Sequence, residues 1–206
     1  MKVVPLRGLL FEPVLGEVIE RLRAGALLVY PTDTLYGLGG DFMSLAVAER
    51  IDSLKGRADA PYSAAVSDLI MLTELAADLP PLFSNKLAGL LPGPYTFLFR
   101  PSAAVDSELI KHSGKIGVRM PAVPEILSLI RLTGRPLFST SVNRSGQPPM
   151  NDPAAIARRF PNVDLIVDGG VLPPSPGSTV LDLTVEPATI RRRGAGFERL
   201  QELLLR

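Results

Sequence analysis

Apolar side chains recur along this chain at two spacings, and each spacing predicts a different element. Val14, Leu15, Val18, Ile19 and Leu22 return every three or four residues and stop at Ala24-Gly25, which predicts an amphipathic helix with a glycine end. Ala26-Leu27-Leu28-Val29-Tyr30 is an unbroken apolar run halted by Pro31, the mark of a short buried strand. Ser44 is placed to cap a helix that carries Val47, Ile51 and Leu54 on one face. Ser63 to Ser67 reads as a strand. Leu69 to Ala76 reads as a helix broken by Pro80-Pro81, and Leu82 to Leu91 as another closed by Pro92-Gly93-Pro94. Thr96 to Phe99, Ile116 to Arg119 and Pro136 to Ser139 predict strands, with a helix over Pro124 to Thr133 between the last two. Asp152-Pro153 is a helix start, a capping side chain followed by proline at the first helical position. Leu165–Val167, Thr179–Leu181 and Thr189–Arg191 are further strands, and Phe197, Leu200, Leu203 and Leu204 mark a closing helix. Strands interleaved with helices predict the α/β class: a single domain over residues 1–206 with a twisted mixed β-sheet flanked by helices.

Composition narrows the chemistry. A chain of 206 residues can bury one sizeable core. Its 22 basic and 21 acidic residues leave a formal charge of +1, so any site for anions must be local. Cysteine is absent, which excludes disulfides, thiolate catalysis and cysteine-held zinc. A lone histidine, His112, excludes a multi-histidine metal site and argues against a Ser-His-Asp hydrolase; with Lys111 and Ser113 beside it, it reads as an exposed loop residue. No run approaches the length of a membrane span, and the first residues lack a signal-peptide pattern, so a soluble cytoplasmic protein with no membrane partner is expected. The 20 prolines and 18 glycines are dispersed, as in shaped loops rather than a disordered tract.

Candidate chemistry lies where apolar runs stop. Thr32-Asp33-Thr34-Leu35-Tyr36-Gly37-Leu38-Gly39 follows a buried strand; it is either a ligand loop or a solvated turn. Lys55-Gly56-Arg57 is either a polyanion contact or a helix end that favours cations. Ser139-Thr140-Ser141-Val142-Asn143-Arg144-Ser145-Gly146 carries too many polar side chains for a helix cap to explain, and reads as a binding loop. Arg191-Arg192-Arg193 before Gly194 is either a charged sheet edge or a phosphate clasp. Arg119 ends an apolar strand, and a buried arginine requires a carboxylate or phosphate partner. The P-loop, the G-x-G-x-x-G fingerprint and the protein-kinase motifs are all missing.

Taken in order, these segments resemble the YrdC-like family, the threonylcarbamoyl-AMP synthases. The resemblance runs from about Gly16 to Gly196. It rests on Tyr30–Leu38, Lys55-Gly56-Arg57, Pro92-Gly93-Pro94-Tyr95-Thr96, Gly117-Val118-Arg119-Met120-Pro121, Ser139–Gly146, Asp168-Gly169-Gly170, Ser178-Thr179-Val180 and Arg192 before Gly194. It implies a YrdC-like fold with a concave, positively charged cavity. The implied reaction makes threonylcarbamoyl-AMP and diphosphate from L-threonine, bicarbonate or CO2, and ATP, with Mg2+ on the triphosphate and no metal ligands on the protein. The product would pass to a downstream threonylcarbamoyl transferase that modifies tRNA. Carried over by position, Lys55, Arg57, Ser141 and Asn143 form the catalytic tetrad. These four, with Lys115 and Arg192, are implied to bind ATP. Thr34, Arg119, Ser139 and Ser178 are implied to hold threonine. Three features depart from the pattern. The link Ala58–Pro61 is one residue short, Ala65 stands where many members carry a histidine, and Tyr95 with Tyr62-Ser63 looks like the YciO branch. Ser141-Val142-Asn143 is intact, unlike in that branch. The competing expectation is a YciO-type paralogue serving as a tRNA- or double-stranded-RNA-binding module or in ribosome maturation.

Overall fold

The apolar runs pair into two mixed sheets rather than one. The structure, a computed structural model, describes residues 1–56, 62–110 and 113–205. In chain order come β1 (Lys2–Pro5), α1 (Val14–Arg23), the hairpin of β2 (Leu28–Pro31) and β3 (Tyr36–Gly39), and α2 (Leu45–Lys55). Next are β4 (Ser63–Ala65), α3 (Leu69–Leu75), β5 (Tyr95–Phe99), α4 (Ser107–Ile110), β6 (Ile116–Arg119) and α5 (Pro124–Thr133). The last third holds β7 (Leu137–Phe138), β8 (Thr140–Ser141), α6 (Pro153–Arg159), β9 (Leu165–Asp168), β10 (Thr179–Asp182), β11 (Thr189–Arg192) and α7 (Phe197–Leu205). One sheet has the strand order β1-β9-β2-β3-β8 and the other β11-β10-β5-β6-β4-β7. β1 and β2 flank β9 in parallel, and β10/β5 and β4/β6 are also parallel, while the remaining pairs are antiparallel. The α/β class with helix-flanked mixed sheets is as the periodicity implied.

Local chemistry explains most helix ends. Ser44 accepts from the Val47 N–H, Asp68 from Met71 and Asp152 from Ala154, each supplying an oxygen to an otherwise orphaned helix donor. Gly56 closes α2 in the left-handed region, at φ 64°. Three expectations change. Leu82 to Leu91 forms no regular helix but one wide turn (Phe83–Leu87) running into one tight turn (Ala88–Leu90), with Pro92 shortly beyond. The strand expected over Ser63 to Ser67 ends at Ala65. Tyr36–Gly39, read as loop, is a fully buried strand paired with β2.

The two sheets join through a single residue. Ser139 separates β7 in one sheet from β8 in the other, and its N–H donates to the Ser63 carbonyl at 2.8 Å. Phe138 donates to Gly40 at 2.9 Å and Val142 to Tyr36 at 3.3 Å, so the crossing strand is stitched to both sides. Gly39 is required here: a Cβ on it would lie 2.4 Å from the Phe138 carbonyl oxygen. The buried Tyr30 hydroxyl donates to that same carbonyl at 2.9 Å, and burial pushes its pKa up to about 12, which keeps it a neutral donor. Phe42 and Tyr62 pack on the Phe138 ring at centroid distances of 4.7 and 5.0 Å. Around this rigid seam, polar strand ends from both sheets face a common space.

Candidate functional site

That space is a cavity of about 690 Å³, lined by residues from both sheets and the loops between them. Small-molecule sites typically measure about 300–1,000 Å³. Seven of the ten side chains singled out from sequence line it: Thr34, Lys115, Arg119, Ser139, Ser141, Ser178 and Arg192. Lys55 and Asn143 brace it from behind Ser141, and Arg57 lies outside the described residues, as does His112.

The Arg119 wall is built from a buried ion pair. Arg119 ends β6 only 8% exposed, and its Nη2 donates to Asp33 Oδ1 at 2.7 Å. The same nitrogen reaches Thr34 Oγ1 at 3.3 Å and Thr32 Oγ1 at 3.4 Å. The two threonine hydroxyls lie 3.1 Å apart and interlock the turn between β2 and β3. Arg119 Nε and Asp33 Oδ2 are buried without partners, so the pair is gripped at one corner rather than side-on. The carboxylate that a buried arginine demands is thus supplied by the chain itself.

A second carboxylate anchors two more cations. Asp182 closes β10 fully buried, and its Oδ2 accepts from Lys115 Nζ at 2.7 Å and from Arg191 Nε and Nη2 at 3.0 and 2.7 Å. Oδ1 accepts from the Thr184 N–H and hydroxyl at 3.0 and 2.6 Å. Burial alone would raise the Asp182 pKa; the hydrogen bonds from Lys115, Thr184 and Arg191 outweigh it and hold the carboxyl well below its usual range. Sequence reasoning passed over Asp182. Its signal was a carboxylate at the end of an apolar strand, which burial makes costly unless cations meet it.

Arg192 differs. Its Nε donates to the Ser178 carbonyl and its Nη2 to Ser178 Oγ, both at 2.9 Å, while Ser178 Oγ lies 2.8 Å from Thr96 Oγ1. Among the described residues it has no carboxylate partner. Although much of the residue is exposed, its pKa is lowered, first by partial desolvation of the guanidinium and second by the like charge of Arg119. Arg119 and Arg192 thus present two like charges to one cavity.

The remaining corner is a hydrogen-bonded knot. Lys55, 3% exposed at the end of α2, donates to the Ser141 carbonyl at 2.5 Å, to Asn143 Oδ1 at 2.9 Å and to the Asn143 carbonyl at 3.1 Å. Ser141 Oγ donates to Asn143 Oδ1 at 2.6 Å, and Asn143 Nδ2 donates to the Arg144 and Gln147 carbonyls at 3.0 and 2.7 Å. This side chain must accept at one end and donate at the other, which an amide does and a carboxylate does not. Tyr62, on the cavity wall, donates to Asp52 Oδ2 at 2.5 Å and ties α2 to the same region. Ala65, fully buried in β4, is the Cα partner of Arg119 and offers no polar atom.

Among the described residues, no three His, Cys, Asp or Glu side chains converge as a metal site. Asp33 and Asp182 are already matched by cations, so these donors do not suit a protein-held metal. No helix is long and apolar enough to cross a membrane.

Comparison with known proteins agrees with this architecture. The chain is 34% identical over 186 residues to a threonylcarbamoyl-AMP synthase of Pyrococcus abyssi, covering 89% of this chain and 55% of that protein. It is 32% identical over 194 residues to the uncharacterized protein YciO of Escherichia coli, covering 90% and 91% respectively. The crystal structure of Pyrococcus abyssi Sua5 complexed with L-threonine superposes with a TM-score of 0.86 at 27% identity, covering 99% of this chain and 61% of that one. The chain thus spans little more than half the length of the Pyrococcus protein. A family model for the Sua5/YciO/YrdC domain, described as "Telomere recombination", matches residues 20–194. The ordered motifs, the two-sheet fold and this match together make the chain a member of the Sua5/YciO/YrdC family.

Proposed function

We propose that this chain, as one YrdC-like domain, synthesises threonylcarbamoyl-AMP and diphosphate from L-threonine, bicarbonate or CO2, and ATP. One observation carries the reading: Arg119, Lys115 and Arg192, from three different strands or loops, converge with Ser139, Ser141 and Ser178 on one cavity. A relative named for this activity and a related structure holding L-threonine support it.

In this reading the reaction needs no protein nucleophile. The threonine amine adds to CO2, loses a proton to solvent and becomes a carbamate. A carbamate oxygen attacks the ATP α-phosphorus, forming one P–O bond as the bond to the β-phosphate oxygen breaks, and diphosphate leaves with the electron pair. The protein's part is placement and charge. Thr34, Arg119, Ser139 and Ser178 take the threonine end. With Asp33 already on Arg119, a threonine carboxylate would make that trio net negative. Arg192, without a carboxylate of its own, is then the cation left for phosphate. Lys115 adds charge from the Asp182 side. Lys55 and Asn143 set the position of Ser141, and Arg57 completes the ATP contacts. Mg2+ enters as the counter-ion that ATP brings. The product would pass to a transferase acting on tRNA.

Purified protein given ATP, threonine and bicarbonate should release diphosphate only when threonine is present, with the adenylate as first product. Arg57→Ala and Asn143→Ala should each lower turnover by about 10²-fold, the scale of losing one preorganised contact. Diphosphate release indifferent to threonine, or AMP as first product, would overturn the reading. A second reading, a YciO-type paralogue that binds RNA without synthase activity, is favoured by Ala65. RNA affinity with a steep salt dependence and no ATP binding would establish it.

A further inference from the structure

A second concavity, of about 660 Å³, lies between α2 and the C-terminal end of α6. Its floor is apolar, with Leu27 and Phe160 almost fully buried. Its walls carry four arginines, Arg50, Arg144, Arg158 and Arg159, and one carboxylate residue, Glu49, with Asp164 paired to Arg50 at the edge. A helix end that favours cations accounts for Arg158 and Arg159 in the last turn of α6. It does not account for Arg50, which comes from α2, or Arg144, which comes from the loop after Asn143.

Arg50 is pre-oriented. Its Nη1 donates to the Gly25 carbonyl at 2.6 Å and its Nη2 to Asp164 Oδ2 at 2.8 Å, while the same carboxylate oxygen accepts from the Leu27 N–H at 2.7 Å. Among the described residues no ion pair involves Arg144, Arg158 or Arg159. Like charges gathered around one hollow repel, and they do so least when an anion lies between them. Planar guanidiniums match phosphate oxygens two donors at a time.

We propose that this hollow is a second binding site, selective for compact polyphosphate anions: free diphosphate or triphosphate, or the phosphate tail of a nucleotide. The arginines surround one concavity instead of forming a stripe, and the chain's net charge of +1 supplies no extended field of the kind a duplex backbone needs. The site stands independently of the reaction proposed for the first cavity. It touches that cavity's bracing, since Arg144 follows Asn143 and the Ser145 N–H donates to the Lys55 carbonyl at 2.8 Å.

Calorimetric titration with inorganic triphosphate, in low salt without Mg2+, tests it. The unaltered protein should bind two equivalents. Arg158→Gln/Arg159→Gln should bind one, with the second weakened at least tenfold and the circular-dichroism spectrum unchanged. Arg192→Ala should lose the other equivalent and keep this one. Equal affinity for ATP and triphosphate at this site assigns free phosphates, and tighter ATP assigns a nucleotide tail; both uphold the site. A single equivalent that the double substitution leaves in place, or two that survive it, would overturn the site, whereas a single equivalent lost on the double substitution and kept in Arg192→Ala would uphold it and count against the first cavity alone. Duplex RNA binding that the double substitution weakens while triphosphate does not bind would also overturn it.

Discussion

Arg119 and Arg192 face the same cavity and are held in opposite ways. Arg119 is buried, and the chain provides Asp33 against it; Lys115 and the exposed Arg191 share the one carboxylate of Asp182, so that trio keeps a net positive charge. Arg192 sits at the more open side and rests on neutral oxygens of Ser178. A guanidinium deep in the protein requires a counter-charge merely to be there, so much of its field is spent before any ligand arrives. One near solvent can be oriented by a carbonyl and a hydroxyl and keep its charge for an incoming anion. Arg119 therefore supports and orients, and the uncompensated charge comes from Arg192 and from the Lys115–Arg191–Asp182 trio.

The largest effect should come from breaking the inner wall. Arg119→Ala leaves the part-buried Asp33 without its cation, so unfolding free energy in urea should fall by about 2–4 kcal/mol, and threonine-dependent diphosphate release should vanish with it. Arg192→Ala should separate the two properties: turnover falls by roughly 10²–10³-fold while stability moves by no more than about 0.5 kcal/mol. Equal destabilisation by the two substitutions would erase the distinction. Asp182→Asn retains the acceptor for Thr184 but removes the charge under Lys115 and Arg191, and should cost about 1–3 kcal/mol. Its pH dependence has a definite sign. The folded-state pKa of Asp182 is depressed, so its contribution is present above the unfolded carboxyl pKa of about 3.9 and is lost as pH falls towards the folded value. The gap between the unaltered protein and Asp182→Asn should close below pH ~4; a gap that widened there would refute the assignment. The smallest effect is expected of Thr96→Val, which removes one hydrogen bond to Ser178 and loosens the rest of Arg192. It should cost about 1 kcal/mol and weaken ATP binding a few-fold, measured by titration, with threonine affinity falling in the same direction because Ser178 is also assigned to threonine.

Hydrophobic spacing was enough for most helices and strands, because burial of one face is a local property of the chain. It failed at Tyr36–Gly39, where glycines and polar neighbours look like loop. That strand exists because Tyr30 packs over its glycines and β8 pairs along it. It also failed at Leu82–Leu91, where apolar content suited a helix but two irregular turns fitted the core better. The cavity residues were legible as hydroxyls and cations at strand ends, and the family resemblance set them in order. Asp182 was not legible, since nothing near it in sequence shows that Lys115 will meet it.

By itself the sequence determined the α/β class, the helix caps at Ser44 and Asp152, and which strand ends and loops carry hydroxyls and cations, since periodicity, capping and side-chain type act over a few residues. Only the tertiary structure decided that the strands divide into two sheets joined at Ser139, that Asp33 offsets Arg119 and Asp182 is shared by Lys115 and Arg191 while Arg192 rests on neutral oxygens, and that four arginines gather at a second hollow. Those outcomes depend on groups brought together from far apart in the chain. Their energies are governed by distance and desolvation in space, which no local pattern records.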